Sequence, residues 1–510
     1  MSYELRKAGA SQRTSAKSEI KSEVEPAGWA PRLQQQARLS ELEGKIAREP
    51  EGDAAIVLQV QRAALLGALN RHEEALAAFI AILRKAPTHF SALNEFGALL
   101  TSMGSIDAAC RVYSEAILHH PGNPMAHINL ANLLLSGSRY QQAREHYETA
   151  LKIDPDHAQA HQGLGAALAD LGDRDAAADH FRKGFRGHAV STLPYRGDKT
   201  PIRLLQLVSS GGGNIPTGLF LDDTRFLTSV VVADFLEPNT ALPPHQLIFN
   251  TIGDADLCRP ALEAACRITT QAKVAVINDP VAVMETGRID NAVRLGKLPG
   301  VKTAKTLAIP RKELAGPDGA RSLDERGFAY PLLLRSVGYH TGRNFVRVER
   351  GDHLAAAAES LPGRELLAIE YLDATGQDGK PRKYRVMMID GKLYPLHLAI
   401  SKDWKVHYFT ADMADKPDHR REEAAFLEDM PAVLGDRAMA ALERVLAALS
   451  LDYAGIDFGL GASGDLLLFE ANATMVIAKP GKEPHWAYRH SAIDAVLAAV
   501  VAMMERRVKG

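Results

Sequence analysis

Small, aromatic and proline residues recur every 34 positions in the first 200 residues of the chain. The small column holds Ala75, Ala109, Ala143 and Ala177, the aromatic column Phe79, Tyr113, Tyr147 and Phe181, and the proline column Pro87, Pro121 and Pro155. Because residues four apart lie on the same face of a helix, each alanine and the aromatic after it belong to one packed face. A proline ends each helical stretch. The pattern predicts about four helix pairs over residues 56–190, with Leu39–Glu49 as part of a leading repeat.

A helix pair of this kind cannot bury its apolar face alone, and stacked pairs form a curved solenoid with a concave groove. The 34-residue period and its three columns resemble the tetratricopeptide repeat. The resemblance implies an all-α repeat array at residues 34–192. Residues 1–33 contain no apolar core and are expected to form a disordered arm. The groove is then expected to hold a peptide or protein substrate. Docking of the array against the rest of the chain, or formation of a homo-oligomer, is the alternative role.

The hydrophobic pattern changes after Arg186, where short apolar runs begin to alternate with helical ones, as is typical of α/β structure. The predicted strands are Ile202–Val208, Ser229–Phe235, His245–Asn250 and Lys273–Ile277, and the predicted helix is Arg259–Gln271. Residues 200–300 are therefore expected to form a small βαβ layer. The loop after the first strand contains Gly212 and Asn214 but matches neither the dinucleotide nor the Walker phosphate motif. It is either a substrate-binding loop or a tight turn.

A cation ends the predicted strand Phe328–Arg335, just before the loop Gly338–Asn344 and a second strand, Phe345–Val348. A cation beside a mobile glycine loop suits the phosphates of a nucleotide, because the charge neutralises them and bare amides cover them. By itself this segment is equally an ordinary hairpin. The apolar strand Leu366–Tyr371 and the cationic strand Lys383–Val386 that follow favour the nucleotide interpretation.

Two carboxylates and an amide punctuate an apolar hairpin near the C-terminus. Asp457 lies on its first strand, Gly461–Gly464 forms the turn, and Glu470 and Asn472 lie on the returning strand. Residues two apart on a strand face the same side, so Glu470 and Asn472 point together and Asp457 can lie opposite them. Such oxygen donors are the ligands that Mg²⁺ prefers. The alternative is a solvated hairpin edge.

Composition and charge exclude several classes of protein. Lys plus Arg (60) nearly cancels Asp plus Glu (62) over 510 residues, and the absence of a basic run argues against nucleic-acid binding. The three cysteines have no C-x-x-C spacing, so a reducing compartment fits best. The first residues contain no apolar signal core, and the longest apolar stretch, Ile493–Met504, is shorter than the roughly 20 residues that cross a bilayer. We expect a cytoplasmic protein with no membrane partner.

Residues 200–505 resemble the ATP-grasp ligases. The specific feature is Asp457 followed by Glu470-Ala471-Asn472, which is similar to the magnesium motif of that family. The resemblance implies an α+β fold, with a pre-ATP-grasp α/β domain at residues 200–300 and the ATP-grasp central and C-terminal domains at 301–510. It also implies ATP and Mg²⁺ as cofactors. The whole chain is thus expected to be multidomain.

The resemblance assigns roles to individual residues. It places Mg²⁺ on Asp457, Glu470 and Asn472, and catalysis on Arg385 and Arg335. ATP binding is assigned to Arg288, Arg335, Gly338, His340, Gly342, Arg343, Asn344, Glu370, Tyr371, Leu372 and Asp373. Substrate contacts are expected from Gly212, Asn214, His397, Trp404 and His407, although hydrogen bonding in the core is an equal alternative for the two histidines. Arg288 and Arg335 stand where the family often has lysine, which keeps the charge but changes its geometry.

The implied reaction is phosphoryl transfer from ATP to a carboxylate, followed by attack of an amine on the acyl phosphate, with release of ADP and phosphate. One co-substrate is a small-molecule amine or carboxylate, and the repeat array recruits a peptide or protein. Two other functions remain open. The chain is a repeat-based adaptor with a degenerate ATP-binding domain, or an ATP-grasp phosphotransferase that accepts no amine.

Overall fold

The computed structural model describes residues 32–48, 52–337, 344–406, 411–481 and 483–509, with side chains from residue 35 onward. The chain divides into two compact units. The first ends at Gly211 and also includes Leu221–Gln246, whereas the second comprises Gly212–Phe220 and Leu247–Gly510.

Nine helices form the repeat array within the described part of the first unit. They are α1 (Arg32–Arg48), α2 (Asp53–Ala68), α3 (His72–Lys85), α4 (Phe90–Ser102), α5 (Ile106–His119), α6 (Pro124–Ser136), α7 (Tyr140–Ile153), α8 (Ala158–Leu171) and α9 (Arg174–Phe185). Helices α2 to α9 make four pairs, which confirms the repeat count expected over residues 56–190. The leading helix was also expected, but it begins at Arg32 rather than at Leu39.

The 34-residue columns reflect close packing between the two helices of a pair. A Cβ atom built on Gly97 of α4 would lie 2.5 Å from the Tyr113 ring of α5, and one on Gly165 of α8 would lie 2.7 Å from the Phe181 ring of α9. Both rings are buried. Glycine is required at these two positions because the aromatic side chain occupies the space that any larger residue would need.

Three strands complete the first unit. They are β1 (Val190–Thr192), β2 (Ile202–Val208) and β3 (Phe226–Val232). Strand β2 has the predicted bounds and pairs with β3 in parallel, whereas β1 pairs with β3 in antiparallel orientation. The buried valines of β2 and β3 share a hydrophobic core with the last helix pairs of the array. Burial on both faces explains why these strands are mainly apolar from Leu204 to Val208 and along β3.

The described part of the second unit contains eleven further strands. They are β4 (Leu247–Asn250), β5 (Ala275–Ile277), β6 (Val301–Thr303), β7 (Thr306–Pro310), β8 (Leu332–Ser336), β9 (Phe345–Val348), β10 (Glu365–Glu370), β11 (Arg382–Ile389), β12 (Lys392–Ile400), β13 (Tyr453–Leu460) and β14 (Leu466–Asn472). Strands β4 and β5 are parallel. The others form a four-stranded antiparallel sheet, in the order β7-β10-β8-β9, and a five-stranded mixed sheet, in the order β12-β11-β13-β14-β6.

The helices of the second unit are α10 (Arg259–Thr269), α11 (Pro280–Met284), α12 (Arg288–Leu295), α13 (Arg311–Leu314), α14 (Gly319–Glu325), α15 (Leu354–Ser360), α16 (Pro417–Glu428), α17 (Met430–Leu449) and α18 (His490–Lys509). Among the described residues, the helical segment Pro484–Lys509 is long and apolar enough to cross a membrane by length and composition. That length exceeds the apolar stretch seen in the sequence. Helix α18 nevertheless packs on β11 and β12, and Ile493, Val500 and Met504 are buried, as in the core helix of a globular protein.

Candidate functional site

The five-stranded sheet places four predicted site residues side by side. His397 on β12 lies opposite Arg385 on β11, Arg385 lies opposite Asp457 on β13, and Asp457 lies opposite Glu470 on β14. The row therefore crosses four adjacent strands, with the histidine and the arginine on β12 and β11 and the two carboxylates on β13 and β14. Sequence patterns predicted the Asp457–Glu470 pair, whereas only strand pairing shows that Arg385 stands next to it.

Two irregularities of the sheet occur at this row. The register shifts between Arg385 and Val386 against β12, and again between Asp457 and Phe458 against β14. A bulge interrupts the ladder and re-aims the side chains beside it, and bulges are common next to active sites. The second bulge leaves Phe469 as the extra residue on β14. Its side chain is 40% exposed and borders Gly459, together with Ala374.

Asp457 is held by two cations. The Arg385 guanidinium donates to both carboxylate oxygens, at 2.5 Å to Oδ1 and 2.7 Å to Oδ2, and Lys383 Nζ lies 3.0 Å from Oδ2. Burial by itself raises the pKa of Asp457, but the charges of Arg385 and Lys383 outweigh it and hold the pKa well below its ordinary value. Asp457 is therefore an anion at neutral pH. Lys383 was not among the predicted site residues, although its position two residues before Arg385 gives it the same face of β11.

Arg288 links Glu470 to a second carboxylate. Its guanidinium donates to Glu470 Oε1 at 2.7 Å and to Asp256 Oδ2 at 3.1 Å, and its backbone N–H donates to Asp256 Oδ2 at 3.2 Å. Burial opposes the charge of Arg288, but Glu470 and the neighbouring aspartates outweigh it and raise the pKa of the guanidinium. Burial raises the pKa of Asp256 despite the arginine. Nothing in the sequence pattern singled out Asp256, which lies 32 residues from Arg288.

The Asn472 side-chain amide makes hydrogen bonds through both its nitrogen and its oxygen. Its Nδ2 donates to Glu470 Oε1 at 3.0 Å, and its Oδ1 accepts from the backbone N–H of Thr474 at 2.9 Å and from Thr474 Oγ1 at 2.8 Å. The three predicted magnesium ligands are thus neighbours, but their oxygens bind protein donors. Within the described residues, no group of three or more His, Cys, Asp or Glu side chains has a spacing suited to a metal.

Positive charge also accumulates around β8 and β9. The Arg335 guanidinium lies 5.6 Å from the centre of the Phe345 ring, and Lys405 Nζ lies 6.0 Å from the same centre. Burial, together with the charge of Arg288, lowers the pKa of Arg335, and burial with the charge of Arg335 lowers the pKa of Lys405. These cations repel one another, so an anion would stabilise the cluster. Trp404, a predicted substrate residue, packs edge-on against Phe345 at 5.5 Å.

The predicted adenine hinge follows β10. Glu370 donates its N–H to the Lys305 carbonyl at 2.9 Å, and its carboxylate accepts from the Lys305 N–H at 3.1 Å. The Arg347 guanidinium stacks 4.3 Å above the Tyr371 ring. Asp373 accepts the N–H of Thr375 at 3.0 Å, which forms a tight turn. Leu372 is partly exposed between them, so the hinge backbone is ordered by contacts on either side.

The loop with Gly212 and Asn214 is anchored to the segment that carries Asp256. Gly212 has a φ of +96°, and its carbonyl accepts the Cys258 thiol. Asn214 is buried and forms an antiparallel bridge with Ile252. A Cβ on Gly253 would lie 2.8 Å from Thr474. The loop therefore packs, through residues 251–258, against the Glu470–Thr474 segment.

Several predicted residues remain to be placed. Gly338, His340, Gly342, Arg343 and His407 lie outside the described residues. Asn344 is at a turn with a φ of +49°, and its carbonyl accepts the N–H of Ser336. His397 is buried, and burial with the charge of Arg385 lowers its pKa well below the ordinary value. The imidazole is therefore neutral at physiological pH.

A buried ion pair near His397 was not foreseen. Glu423 of α16 lies 3.2 Å from the Arg489 guanidinium and accepts the Tyr488 hydroxyl at 2.6 Å. The carboxylate is fully buried, and burial raises its pKa although Arg489 opposes the rise. The charge of Arg489 also acts on His397. Glu423 lies in a charged run of a helical segment and Arg489 is 66 residues further along the chain, so no local pattern predicts this pair.

Comparisons with known proteins concern the repeats. A family model described as "TPR repeat" matches residues 131–172. The chain is 35% identical over 83 residues to an Hsp70-Hsp90 organizing protein from Triticum aestivum, which is 16% of this chain and 14% of that protein. It is 29% identical over 105 residues to the heat-shock cognate co-chaperone sgt12 of Aspergillus fumigatus, which is 20% of this chain and 31% of that protein. The match thus spans only a minor part of each relative.

Solved structures that match part of this chain include MamA from Desulfovibrio magneticus RS-1. It is 23% identical, covers 30% of this chain and 85% of its own, and has a TM-score of 0.26. The family match and the four helix pairs establish that the N-terminal region consists of tetratricopeptide repeats. A mixed, sheet-containing region follows them.

Proposed function

We propose that this protein is an ATP-dependent carboxylate–amine ligase of the ATP-grasp type whose tetratricopeptide array recruits a peptide or protein substrate. The observation that carries the proposal is the row formed by Arg385, Asp457 and Glu470 on three adjacent strands. Arg288 binds Glu470 at one end of this row. Buried acids and bases concentrated in this way are typical of functional sites.

The donor set suits a magnesium nucleotide. Asp457, Glu470 and Asn472 would hold Mg²⁺, since they offer two carboxylates and an amide oxygen from neighbouring strands. When bound, the ion would neutralise charge on the phosphates. An anionic triphosphate would compete with Asp457 for Arg385 and Lys383, which now lie 2.5–3.0 Å from its oxygens. Binding of the nucleotide would therefore release the Asp457 carboxylate from these two cations.

The other cations would position the phosphoryl group that moves. Arg335 and Arg385 would bind its oxygens, while Arg288 stays paired with Glu470. A substrate carboxylate oxygen attacks the γ-phosphorus, the bond to the bridging oxygen breaks, and ADP leaves. The amine nitrogen then attacks the acyl carbon, phosphate departs with the bonding electron pair, and the amine loses a proton. Positioning and electrostatic stabilisation account for most catalysis in such transfers.

The base of the nucleotide would lie between the hinge and the bulge. The exposed Phe469 ring and Ala374 both border Gly459, and Ala374 closely follows Tyr371, Leu372 and Asp373. An aromatic face beside a main-chain segment suits a purine, because the ring stacks on the base and backbone groups can bind its edge. Phe469 is therefore added to the predicted nucleotide residues.

In this proposal the repeat array binds the partner. The relatives that the chain matches over the repeats are described as co-chaperones or organizing proteins of other proteins, which supports a protein or peptide as the partner here. The second co-substrate would be a small amine or carboxylate, and the enzyme would act in the cytoplasm.

An adaptor with a nucleotide-sensing domain is the second candidate. It is favoured by the engagement of the metal-ligand oxygens, since Asp457 is held by two cations and the Asn472 oxygen by Thr474. In that case ATP would bind without being consumed. A phosphotransferase would consume ATP but accept no amine.

Turnover of ATP separates these functions. The full chain is incubated with ATP, Mg²⁺ and a mixture of the twenty amino acids with short peptides, and both ADP and new condensation masses are measured. We expect ADP release that Glu470→Gln reduces at least 100-fold, whereas Glu359→Gln, at an exposed helix position, leaves it unchanged. ATP binding without ADP release would favour the adaptor, and a phosphorylated acceptor without an amide product would favour the phosphotransferase.

A further inference from the structure

Two histidine pairs lie one repeat apart in the array. His127 Nδ1 is 3.1 Å from His146 Nδ1, and His161 Nδ1 is 2.8 Å from His180 Nδ1. Each pair joins the two helices of one repeat, α6 with α7 and α8 with α9. The rings of the two pairs also have the same tilt, with interplanar angles of 38°. The same geometry is therefore built twice.

The preceding repeat shows what an ordinary packing pair looks like at these positions. Leu93 and Val112 stand 34 residues before His127 and His146 and belong to one small hydrophobic cluster. Replacing an apolar contact with two imidazoles costs free energy unless each buried nitrogen gains a hydrogen-bond partner, because polar groups lose water on burial. His127 and His161 are only 7% and 5% exposed. Both apolar positions are replaced by histidine in each of the two repeats, which indicates that the histidine pair itself has a role.

Hydrogen bonding orients one ring of the second pair. His161 Nε2 lies 2.9 Å from the Pro155 carbonyl, and since a carbonyl oxygen can only accept, Nε2 carries the hydrogen. In the neutral ring Nδ1 then has a lone pair directed at His180. An imidazole whose other nitrogen donates to a backbone carbonyl is the usual arrangement of a metal-bound histidine.

The spacing of the nitrogens matches two neighbouring ligands of one ion. With bonds of about 2.05 Å, ligands at a right angle are about 2.9 Å apart and tetrahedral ligands about 3.3 Å apart. The distances of 2.8 Å and 3.1 Å fit the right angle better. We propose that each pair is a binding site for a divalent transition-metal ion of tetragonal or octahedral preference, such as Cu²⁺ or Ni²⁺, held by the two Nδ1 atoms.

Binding requires both rings to turn, so that the two Nδ1 lone pairs point at the ion rather than along the line between the nitrogens. The ion replaces the hydrogen now shared between the two Nδ1 atoms, and that hydrogen moves to Nε2 of the donor ring through solvent, so no net proton is released. His146 and His180 are partly exposed and leave a route to water, which would complete the coordination. Burial lowers the pKa of His127, His146, His161 and His180, so the imidazoles are neutral.

Nearby charges modulate the second site. The charge of Lys183 lowers the pKa of His161 and of His180, whereas Asp179 and Glu148 raise the pKa of His180. The first pair has Glu145 as its acidic neighbour.

Copper binding tests the proposal on the full chain, prepared without a polyhistidine tag. Titration with Cu²⁺ is followed by calorimetry and by electron paramagnetic resonance. We expect two sites, each with hyperfine splitting from two imidazole nitrogens. The variant His161→Leu with His180→Val copies the Leu93 and Val112 pair and should lose one site, and adding His127→Leu with His146→Val should remove both.

Controls address the other histidines and the folding of the variants. Substituting His353 and His485, which are exposed outside the array, with glutamine should leave both sites intact. Circular dichroism checks that the four-residue variant keeps its helices. The proposal is wrong if that variant binds as many copper ions as the wild-type chain. A wild-type spectrum with a single nitrogen ligand for each ion would overturn it independently of any variant.

Discussion

Substituting Asp457 with asparagine should destabilise the second unit strongly, because the change leaves two cations without their anion. The Asp457 side chain is 5% exposed and receives Arg385 at 2.5 Å and 2.7 Å and Lys383 at 3.0 Å. Asparagine has nearly the same shape, so packing is retained while the charge is lost. Removing one partner from a buried ion pair typically costs about 3–5 kcal/mol. We expect a loss of this size.

The loss is measurable as a shift in melting temperature. A change of 1 kcal/mol moves the midpoint by roughly 2–4 °C for a domain of about 150–250 residues, so Asp457→Asn should lower the transition of the second unit by about 10 °C. Circular dichroism or calorimetry, without nucleotide, follows that transition.

A matched variant separates the cost of leaving a buried charge unpaired from the contribution of the whole ion pair to stability. Changing Asp457 to leucine together with Arg385→Met and Lys383→Met replaces the whole network with apolar groups. Such replacements are often neutral, so this triple variant should melt closer to the wild type than Asp457→Asn does. If Asp457→Asn melts within about 1 °C of the wild-type chain, the network is not a significant source of stability and the electrostatic argument fails.

Three further predictions concern other parts of the chain. Gly97→Val should destabilise the array by about 1–3 kcal/mol, because the new side chain meets the Tyr113 ring, whereas Gly122→Ala, with open space around it, should leave its melting temperature unchanged. Phe469→Ala should weaken ATP binding by about 1–3 kcal/mol in calorimetry if the ring stacks on the base, and equal affinity would exclude that contact. The pKa values of the buried histidines are lowered in the fold, whereas the unfolded chain takes up protons as the pH falls below about 6.5. The array should therefore be most stable above that pH and should melt at a lower temperature at pH 5.5. The four-residue histidine variant should lose most of this pH dependence.

Some neighbours within the candidate site could be predicted from the sequence and others could not, for a physical reason. The hairpin with Asp457, Glu470 and Asn472 could be recognised because its residues are close in the chain and alternate with apolar neighbours. The partner of Glu470 could not be, since Arg288 lies 182 residues away. The bulge at Asp457 was equally hidden, because an extra residue in a strand leaves the composition of that strand unchanged. Strand pairing alone placed Arg385 next to Asp457.

The sequence by itself determined the repeat array, its four helix pairs and most strand positions, because helix and strand periodicities involve neighbours only a few residues apart. Strands Ile202–Val208 and Phe345–Val348 lie at their predicted bounds. The tertiary structure decided which charges meet. It brought Arg288 to Glu470 and Asp256, and it paired His161 with His180 across two helices. A charged or imidazole side chain has the same local pattern whether its partner is water, an acid or another ring, so the identity of that partner emerges only when distant segments pack.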